Sequence, residues 1–296
     1  MTANSINAYL MQLRAELKGS DTALVQDALA DSEEHLRSAL EILLETQPNL
    51  PNAEAMDAII AEYGTPDEIA EAYREVESYT RPALAPRKQK ARGNIFSRFF
   101  GVYLDPQAWG SLVYLLISIL TGTLYFSWAF VGLSTSLVFA LFIFGLPLAA
   151  FFMISIRGVA LVEGRLIEAL LGVRMPRRTI FSPANMNWLQ RLKAQLLDKQ
   201  TWLILFYLIL QGLLGTVYFI VYVTLIAFAL LFLAMPVFTS LGLPIITLGD
   251  QLIHAPLELL PVSVLFGFLL LTTTMHIAKF NGKIHARYAK FMLVGE

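Results

Sequence analysis

Cysteine is missing from all 296 residues. Its absence excludes disulfide staples, thiolate metal sites and cysteine nucleophiles, and says nothing about compartment. Charge is missing over two long stretches: no Asp, Glu, Lys or Arg occurs from Trp109 to Ile156 or from Thr201 to Gly249. Such runs are too long for buried helices of a soluble domain and suit membrane spans of about 20 residues each. Bases are scarce in the first 80 positions, where Arg14, Lys18, Arg37 and Arg74 face sixteen acids. An acidic surface argues against nucleic acid as a partner. A cleavable signal is not expected either, because the N-terminus is polar and acidic and the first apolar run starts near residue 109.

What is present divides into two halves. Residues 1–80 carry a net charge of −12 and the remainder +11, which sum to the near-neutral −1 of the chain. The acidic half reads as four short amphipathic helices. Tyr9, Leu13 and Leu17 share one face; Leu24, Ala28, Leu36 and Leu40 share another. Met56, Ile59, Ile60 and Tyr63 supply the third inner face, and Ile69, Ala70, Tyr73 and Val76 the fourth. The corner "YGTPDEIA" joins the last two. Gly64 ends a helix, Thr65 caps the next, Pro66 suits its first position, and Glu68 completes a Thr-x-x-Glu capping box. There is no nucleophile–base pair and no phosphate-binding loop, so no enzyme is expected. His35 lies among Asp31, Glu34 and Glu41 and reads as a solvated face, with no metal or other cofactor expected.

"YLMQLRAEL", "DALADSEEHLRSALE" and "YGTPDEIAEAYR" resemble the HAAS-type helical signalling domains of bacterial membrane proteins. The resemblance covers roughly residues 5–77 and implies a cytoplasmic interaction module. The family usually has Leu where this chain has Tyr63.

Residues 81–104 form a basic linker before the membrane half; six Lys and Arg and no acid occur between positions 80 and 98. Such a segment suits the anionic cytoplasmic face. Five apolar segments follow, near 109–130, 136–156, 202–222, 225–239 and 260–278. Lys and Arg crowd the linker, residues 157–199 and the tail after 279, whereas 131–135, 223–224 and 240–259 have none. Three basic regions on one side require an even number of crossings. Four satisfy this, so the short segment 225–239 is expected to be re-entrant or half-spanning.

The membrane half also repeats itself. "DPQAW" at 105–109 returns as "DKQTW" at 198–202, and "TGTLYF" at 121–126 as "LGTVYF" at 214–219, both 93 residues on. "FALFIFGLP" returns as "FALLFLAMP", and "EGRLIEALLGV" is echoed weakly by "NGKIHARYAKF". The expected organisation is a first hairpin at 105–197 and a second at 198–296, running in the same direction. The paired hairpins, Gly145-Leu-Pro147 and "RGVALVEGRLIEALLG" resemble the Putative sensor family of bacterial membrane domains. That resemblance implies a sensory or signal-coupling role.

Candidate residues follow from position. Arg157, Glu163, Arg165 and Glu168 lie on an expected interfacial helix whose arginines can meet lipid phosphates, with Arg165 and Glu168 able to pair. Asp250, His254 and Glu258 recur every four residues in the excursion before the last span. They could sense an extracytoplasmic signal, although Pro256 favours a solvated turn over a shared helical face. His276 is expected to meet headgroups or a backbone carbonyl. Tyr125, Trp128, Tyr218 and Tyr222 near one interface, and Tyr103, Trp109 and Trp202 near the other, read as aromatic belts. Gly122, Gly132, Gly145, Gly212 and Gly215 allow close helix contacts.

The fold class is therefore all-α, a small four-helix module on a polytopic membrane bundle. The expected function is a sensor or signalling adaptor of the bacterial inner membrane with both termini cytoplasmic. The rival readings are a membrane scaffold or assembly partner and a lipid or small-molecule transporter. Membrane lipids and a cytoplasmic protein regulator are the expected partners, with homo-oligomerisation left open.

Overall fold

The computed structural model describes residues 5–79, 82–85, 94–139, 145–178, 188–244, 246–248, 251–253 and 256–294. The acidic half forms α1 (Ile6–Glu16), α2 (Thr22–Thr46), α3 (Asn52–Tyr63) and α4 (Pro66–Tyr79). Ser5 caps α1 through the N–H of Ala8, and Asp21 caps α2 through the N–H of Ala23. Tyr9, Leu13, Leu17, Ala28, Leu36, Met56, Ile59 and Ala70 make the core. Val76, expected inside, is exposed because α4 outlasts the helices it packs on.

The corner between α3 and α4 is held from three directions. Gly64 takes φ +114° and ψ 156°, a conformation open to glycine alone and not the left-handed helical well. Glu68 accepts from the Thr65 N–H at 2.8 Å. The Tyr9 hydroxyl donates to the Gly64 carbonyl at 2.9 Å, so the turn is fastened to α1. Hydrogen bonds from Thr65 hold the carboxyls of Asp67 and Glu68 below their ordinary range.

A short helix α5 (Ile95–Phe100) precedes the membrane half. There, α6 (Pro106–Phe139), α7 (Gly145–Leu171), α9 (Lys199–Ser240) and α10 (Leu260–Leu293) are long and apolar enough to cross a bilayer, with α8 (Trp188–Leu197) between α7 and α9. The chain is thus a multi-pass membrane protein, with four candidate crossings among the described residues. The starts of α6 and α9 and the ends of α7 and α10 lie together, facing the acidic module.

The routes of the crossings correct the sequence reading. α6 runs straight through 131–135 to Phe139 and α7 starts at Gly145, with 140–144 outside the described residues. α9 runs through 223–224, so residues 225–239 are its continuation and not a re-entrant segment. Tyr222 to Leu225 hold no helix breaker, and the helix ends only at Gly242, where φ is +67°. Pro236 sits inside it. Residues 157–171 likewise continue the span of α7 and form no separate interfacial helix. The excursion after α9 contains a two-stranded antiparallel hairpin, β1 (Ile246–Leu248) and β2 (Gln251–Ile253), with Ile246 opposite Ile253. This adds two short strands to an otherwise helical fold.

α6 and α9 pack side by side in the same direction. A Cβ on Gly122 would collide with the Gln211 carbonyl, and one on Gly215 with the Ser118 carbonyl. These two contacts are reciprocal at the 93-residue offset. The helix starts match as well. Asp105 caps α6 through the Gln107 N–H at 3.0 Å, and Asp198 caps α9 through the Thr201 N–H at 3.1 Å. Trp109 donates its indole N–H to the Tyr103 carbonyl six residues back, at 2.9 Å, and Trp202 does the same to Leu196 at 2.8 Å. Each capping Asp is then ion-paired across the bundle, Asp198 with Arg157 of α7 and Asp105 with Lys279 of α10.

Candidate functional site

Two polar assemblies stand out, one in the bundle and one where the module meets it. The first gathers a side chain from every crossing. Tyr114 of α6, Glu163 of α7, Tyr207 of α9 and His285 of α10 each lie eight residues from the module-side end of their helix. At about 1.5 Å per residue, the cluster sits about 12 Å inside that end. Glu163 and both tyrosines have no exposed surface, and His285 has 1 %.

The contacts are short. Tyr114 and Tyr207 donate their hydroxyls to Oε1 of Glu163 at 2.5 and 2.9 Å. The same hydroxyls lie 2.7 and 3.2 Å from Nε2 of His285. Gln211 donates from Nε2 to the Tyr114 oxygen at 3.3 Å, and the Tyr218 hydroxyl lies 3.5 Å from Nδ1 of His285. The imidazole is boxed by the rings of Tyr114, Tyr207, Tyr218 and Tyr288, with centroids 5.0 to 6.2 Å away. A buried carboxylate is costly unless hydrogen-bonded and balanced, so this much polarity inside a membrane bundle marks a functional position by default.

The second assembly docks the acidic module on the basic end of the bundle. α7 stops at Gly172, whose φ of +69° turns the chain away and whose Cα faces the backbone of Leu84. Residues 173–178 then run beneath α2. Oδ1 of Asp27 accepts the backbone N–H groups of Arg177 and Arg178 at 2.5 and 3.1 Å. Gln26 donates to the Arg178 carbonyl at 2.9 Å. Arg178 pairs with Asp31 at 2.6 Å and with Glu34, while Arg174 lies 4.0 Å from Asp27 and 3.8 Å from Glu77. From the other side of the bundle, Lys290 reaches Asp21 at 2.6 Å.

These contacts are unequal. Arg178 and Glu34 are about half exposed, and such pairs contribute about 0–1 kcal/mol. Asp27 is nearly enclosed, and hydrogen bonds to a charged acceptor are worth about 1.5–3 kcal/mol each. Asp27 is therefore the anchor. Burial pushes its carboxyl above the ordinary 3.8, against the opposing pull of the two N–H groups and Arg174.

The residues singled out from sequence land in different places. Glu163 is not interfacial; it is the buried centre of the cluster. Arg157 faces no lipid phosphate, because it pairs with Asp198 at 2.9 Å. Arg165 pairs with Glu168 at 2.5 Å and reaches the Pro176 carbonyl at 3.4 Å, beside the docking strand. Asp250 and His254 lie outside the described residues, and Glu258 is exposed in a single 3-10 turn, Leu257–Leu259, so no shared helical face forms. His276 meets the Phe99 carbonyl at 2.8 Å. His35 stacks on Tyr63 with centroids 4.4 Å apart, and Tyr63 also bonds Ser32.

Several belt tyrosines turn inward. Tyr222 is fully buried and accepts from Asn281 at 2.8 Å, and Tyr125 packs towards Glu163. His285 and Tyr207 were not foreseen. The available signal was Glu163 itself, an acid on the continuation of a span, and the tyrosines repeated at 114 and 207, 125 and 218. Gly122 and Gly215 close the chain's own α6–α9 contact and are not free for a second copy.

The Putative sensor family model matches residues 114–293, a stretch that holds the whole buried cluster. The HAAS family model matches residues 8–72, from α1 into α4. No curated protein and no solved structure matches the chain. With its four crossings within and around the matched stretch, the chain belongs to the Putative sensor family and carries a HAAS domain at its N-terminal end, an arrangement that gives it a sensor or signalling role at a membrane.

Proposed function

We propose that the chain is a non-enzymatic signalling adaptor of the bacterial inner membrane, in which a change in helix packing controls the docking of the acidic module. The clustering of Lys and Arg at the module-side ends supports a cytoplasmic position for that side and for both termini. The single observation that carries the reading is the seating of Asp27 on the N–H groups of Arg177 and Arg178. It joins the module to the strand that leaves α7, so a shift of α7 pulls directly on α2. Release bares the acidic face of α2, with Asp21, Asp27, Asp31 and Glu34, to a cytoplasmic protein regulator. An envelope or bilayer stimulus acts on the opposite end, where α9 leads into the excursion.

The test uses the lack of cysteine. Gln26→Cys with Arg177→Cys places a pair across the interface and leaves the Arg177 N–H in place. In membranes, rapid disulfide formation is expected, reduced moderately by high salt and strongly by Asp27→Leu. A yield indifferent to salt, to Asp27→Leu and to Lys290→Glu would refute regulated docking.

A further inference from the structure

Glu163 and Gln211 each keep one side-chain oxygen without a hydrogen-bond partner, Oε2 and Oε1, although neither residue has any exposed surface. Counting hydrogens shows what is short. Tyr114 and Tyr207 each have one O–H, and both are directed at Oε1 of Glu163. Nε2 of His285 must then carry the hydrogen that faces the two hydroxyl oxygens. The Gln211 amide is directed at Tyr114. The Tyr125 hydroxyl interacts with the same carboxyl and the buried Tyr288 hydroxyl behind the imidazole has no partner, yet Oε2 of Glu163 and Oε1 of Gln211 remain unpaired, and buried polar groups without partners are rare.

We propose that Glu163 is a reversible proton-binding site, filled through the tyrosine hydroxyls that connect it to His285, and that its occupancy sets the docking of the acidic module. A proton on the carboxyl turns an acceptor into a donor and removes a buried charge in one step. The hydroxyls tolerate both states because each is donor and acceptor together. In the empty state hydrogens point from Nε2 through a tyrosine oxygen to Glu163; in the filled state they point from Glu163 through that oxygen to Nε2. For one proton arriving at Nδ1 of His285, the Nε2 proton moves to the tyrosine and the tyrosine proton to Glu163. The hydroxyl is regenerated and one proton is bound. The titratable groups packed against the carboxylate are Tyr114 and Tyr125 from α6, Tyr207 from α9 and His285 from α10, with Tyr218 and Tyr288 behind the imidazole.

The route to the module is short. α7 carries Glu163 and continues through Gly172 into the strand that holds Asp27, and α10 carries His285 five residues before Lys290, which holds Asp21. The output half of the inference rests on the docking reading; the site itself does not.

The experiment takes the full chain in lipid vesicles and records infrared difference spectra between about pH 5 and pH 8. A protonated-carboxyl carbonyl band is expected to titrate in the wild type and to be absent in Glu163→Gln. Tyr114→Phe and Tyr207→Phe each delete one donor to the ionised form and should move the midpoint upward by about one pH unit. A band that does not titrate, one that persists in Glu163→Gln, or a midpoint unmoved in both tyrosine variants overturns the site. The Gln26→Cys/Arg177→Cys crosslink, followed over the same range, should change with the same midpoint. A titrating band beside a salt-sensitive but pH-independent crosslink overturns the coupling alone, whereas a salt-insensitive crosslink points to failure of the docking reading.

Discussion

Tyr114 and Tyr207 stand 93 positions apart and aim their hydroxyls at the same oxygen of Glu163, from 2.5 and 2.9 Å. They come from the two helices that pack side by side, α6 and α9, at equal depth from the module. The partners that complete the cluster differ: α7 offers a carboxylate and α10 an imidazole. Matched helices thus hold an unmatched acid and base between them, and each of the outer two helices leads out to a contact with the acidic module.

The two tyrosines should differ in what their removal costs. Tyr207→Phe deletes bonds to Glu163 and His285; Tyr114→Phe also strands the Gln211 amide. Tyr207→Phe leaves Oε1 and Nε2 the Tyr114 hydroxyl as partner and should cost about 1 kcal/mol, whereas Tyr114→Phe leaves the Gln211 amide unpaired and should cost about 1–3 kcal/mol. The double variant should exceed the sum, because both bonds share Oε1 and only the double variant leaves it without a donor. Thermal unfolding in detergent measures this, with the exposed Tyr79→Phe as the neutral control. Additive losses would mean that the hydroxyls act independently.

The α6–α9 contact makes a reciprocal prediction. Gly122→Ala and Gly215→Ala each drive a methyl into a facing backbone carbonyl, so both should destabilise by about 1–3 kcal/mol. Gly158→Ala meets open space on α7 and should be neutral or stabilising by up to about 1 kcal/mol. The same melts test it. A loss at Gly158 equal to the other two would show that collision with the facing carbonyls is not what sets the cost at Gly122 and Gly215.

Why the sequence revealed the elements better than the site is visible in particular residues. The module's helices were legible because each carries a clear apolar face and Thr65, Pro66 and Glu68 mark the start of the last. The placement of Lys and Arg likewise pointed to four crossings, since three basic regions on one side require an even number. The turns expected at 131–135 and 223–224 are not there, because neither stretch holds a proline and α6 and α9 run on through both; Gly132 only makes room for the Phe152 ring. Glu163 was misread for a related reason. Ending α7 at the first arginine put the carboxylate outside the span, but Arg157 is neutralised by Asp198 within the bundle and the helix simply continues. His285, between Lys283 and Arg287, carries no local sign of burial; only the packing of α10 against α6 and α9 turns it inward.

The pair of Lys290 with Asp21 offers a swap. Lys290→Glu places two acids together and should weaken docking, seen as a lower Gln26→Cys/Arg177→Cys crosslink yield. Asp21→Lys should do the same and also weaken the α2 cap, since Asp21 accepts from the Ala23 N–H. The double swap restores opposite charges and should recover part of the yield at low salt. Both groups keep about a quarter of their surface exposed, so the restored term is about 1 kcal/mol or less and should fade at high salt. A double swap no better than the single variants would place the effect in the cap and not in the pair.

Asp27 gives the interface a pH dependence of defined sign. Its carboxyl in the docked chain is raised by burial above 3.8, while an undocked, solvated Asp27 should titrate near that ordinary value. Between the two values the docked form binds more protons. The Asp27 contribution therefore favours docking most below 3.8 and is lost as pH rises through the raised value. Asp27→Asn keeps an oxygen for the Arg177 and Arg178 N–H groups but cannot titrate, so it should dock with this dependence removed. Relative to it, the wild type should lose crosslink yield as pH climbs through that window and hold a constant difference above it. Asp27→Leu, which strands both N–H groups, should lose docking at every pH, by about 1–3 kcal/mol or more. If Asp27→Asn behaved like Asp27→Leu, the charge of Asp27 would outweigh its role as acceptor, and the burial argument would have the wrong sign.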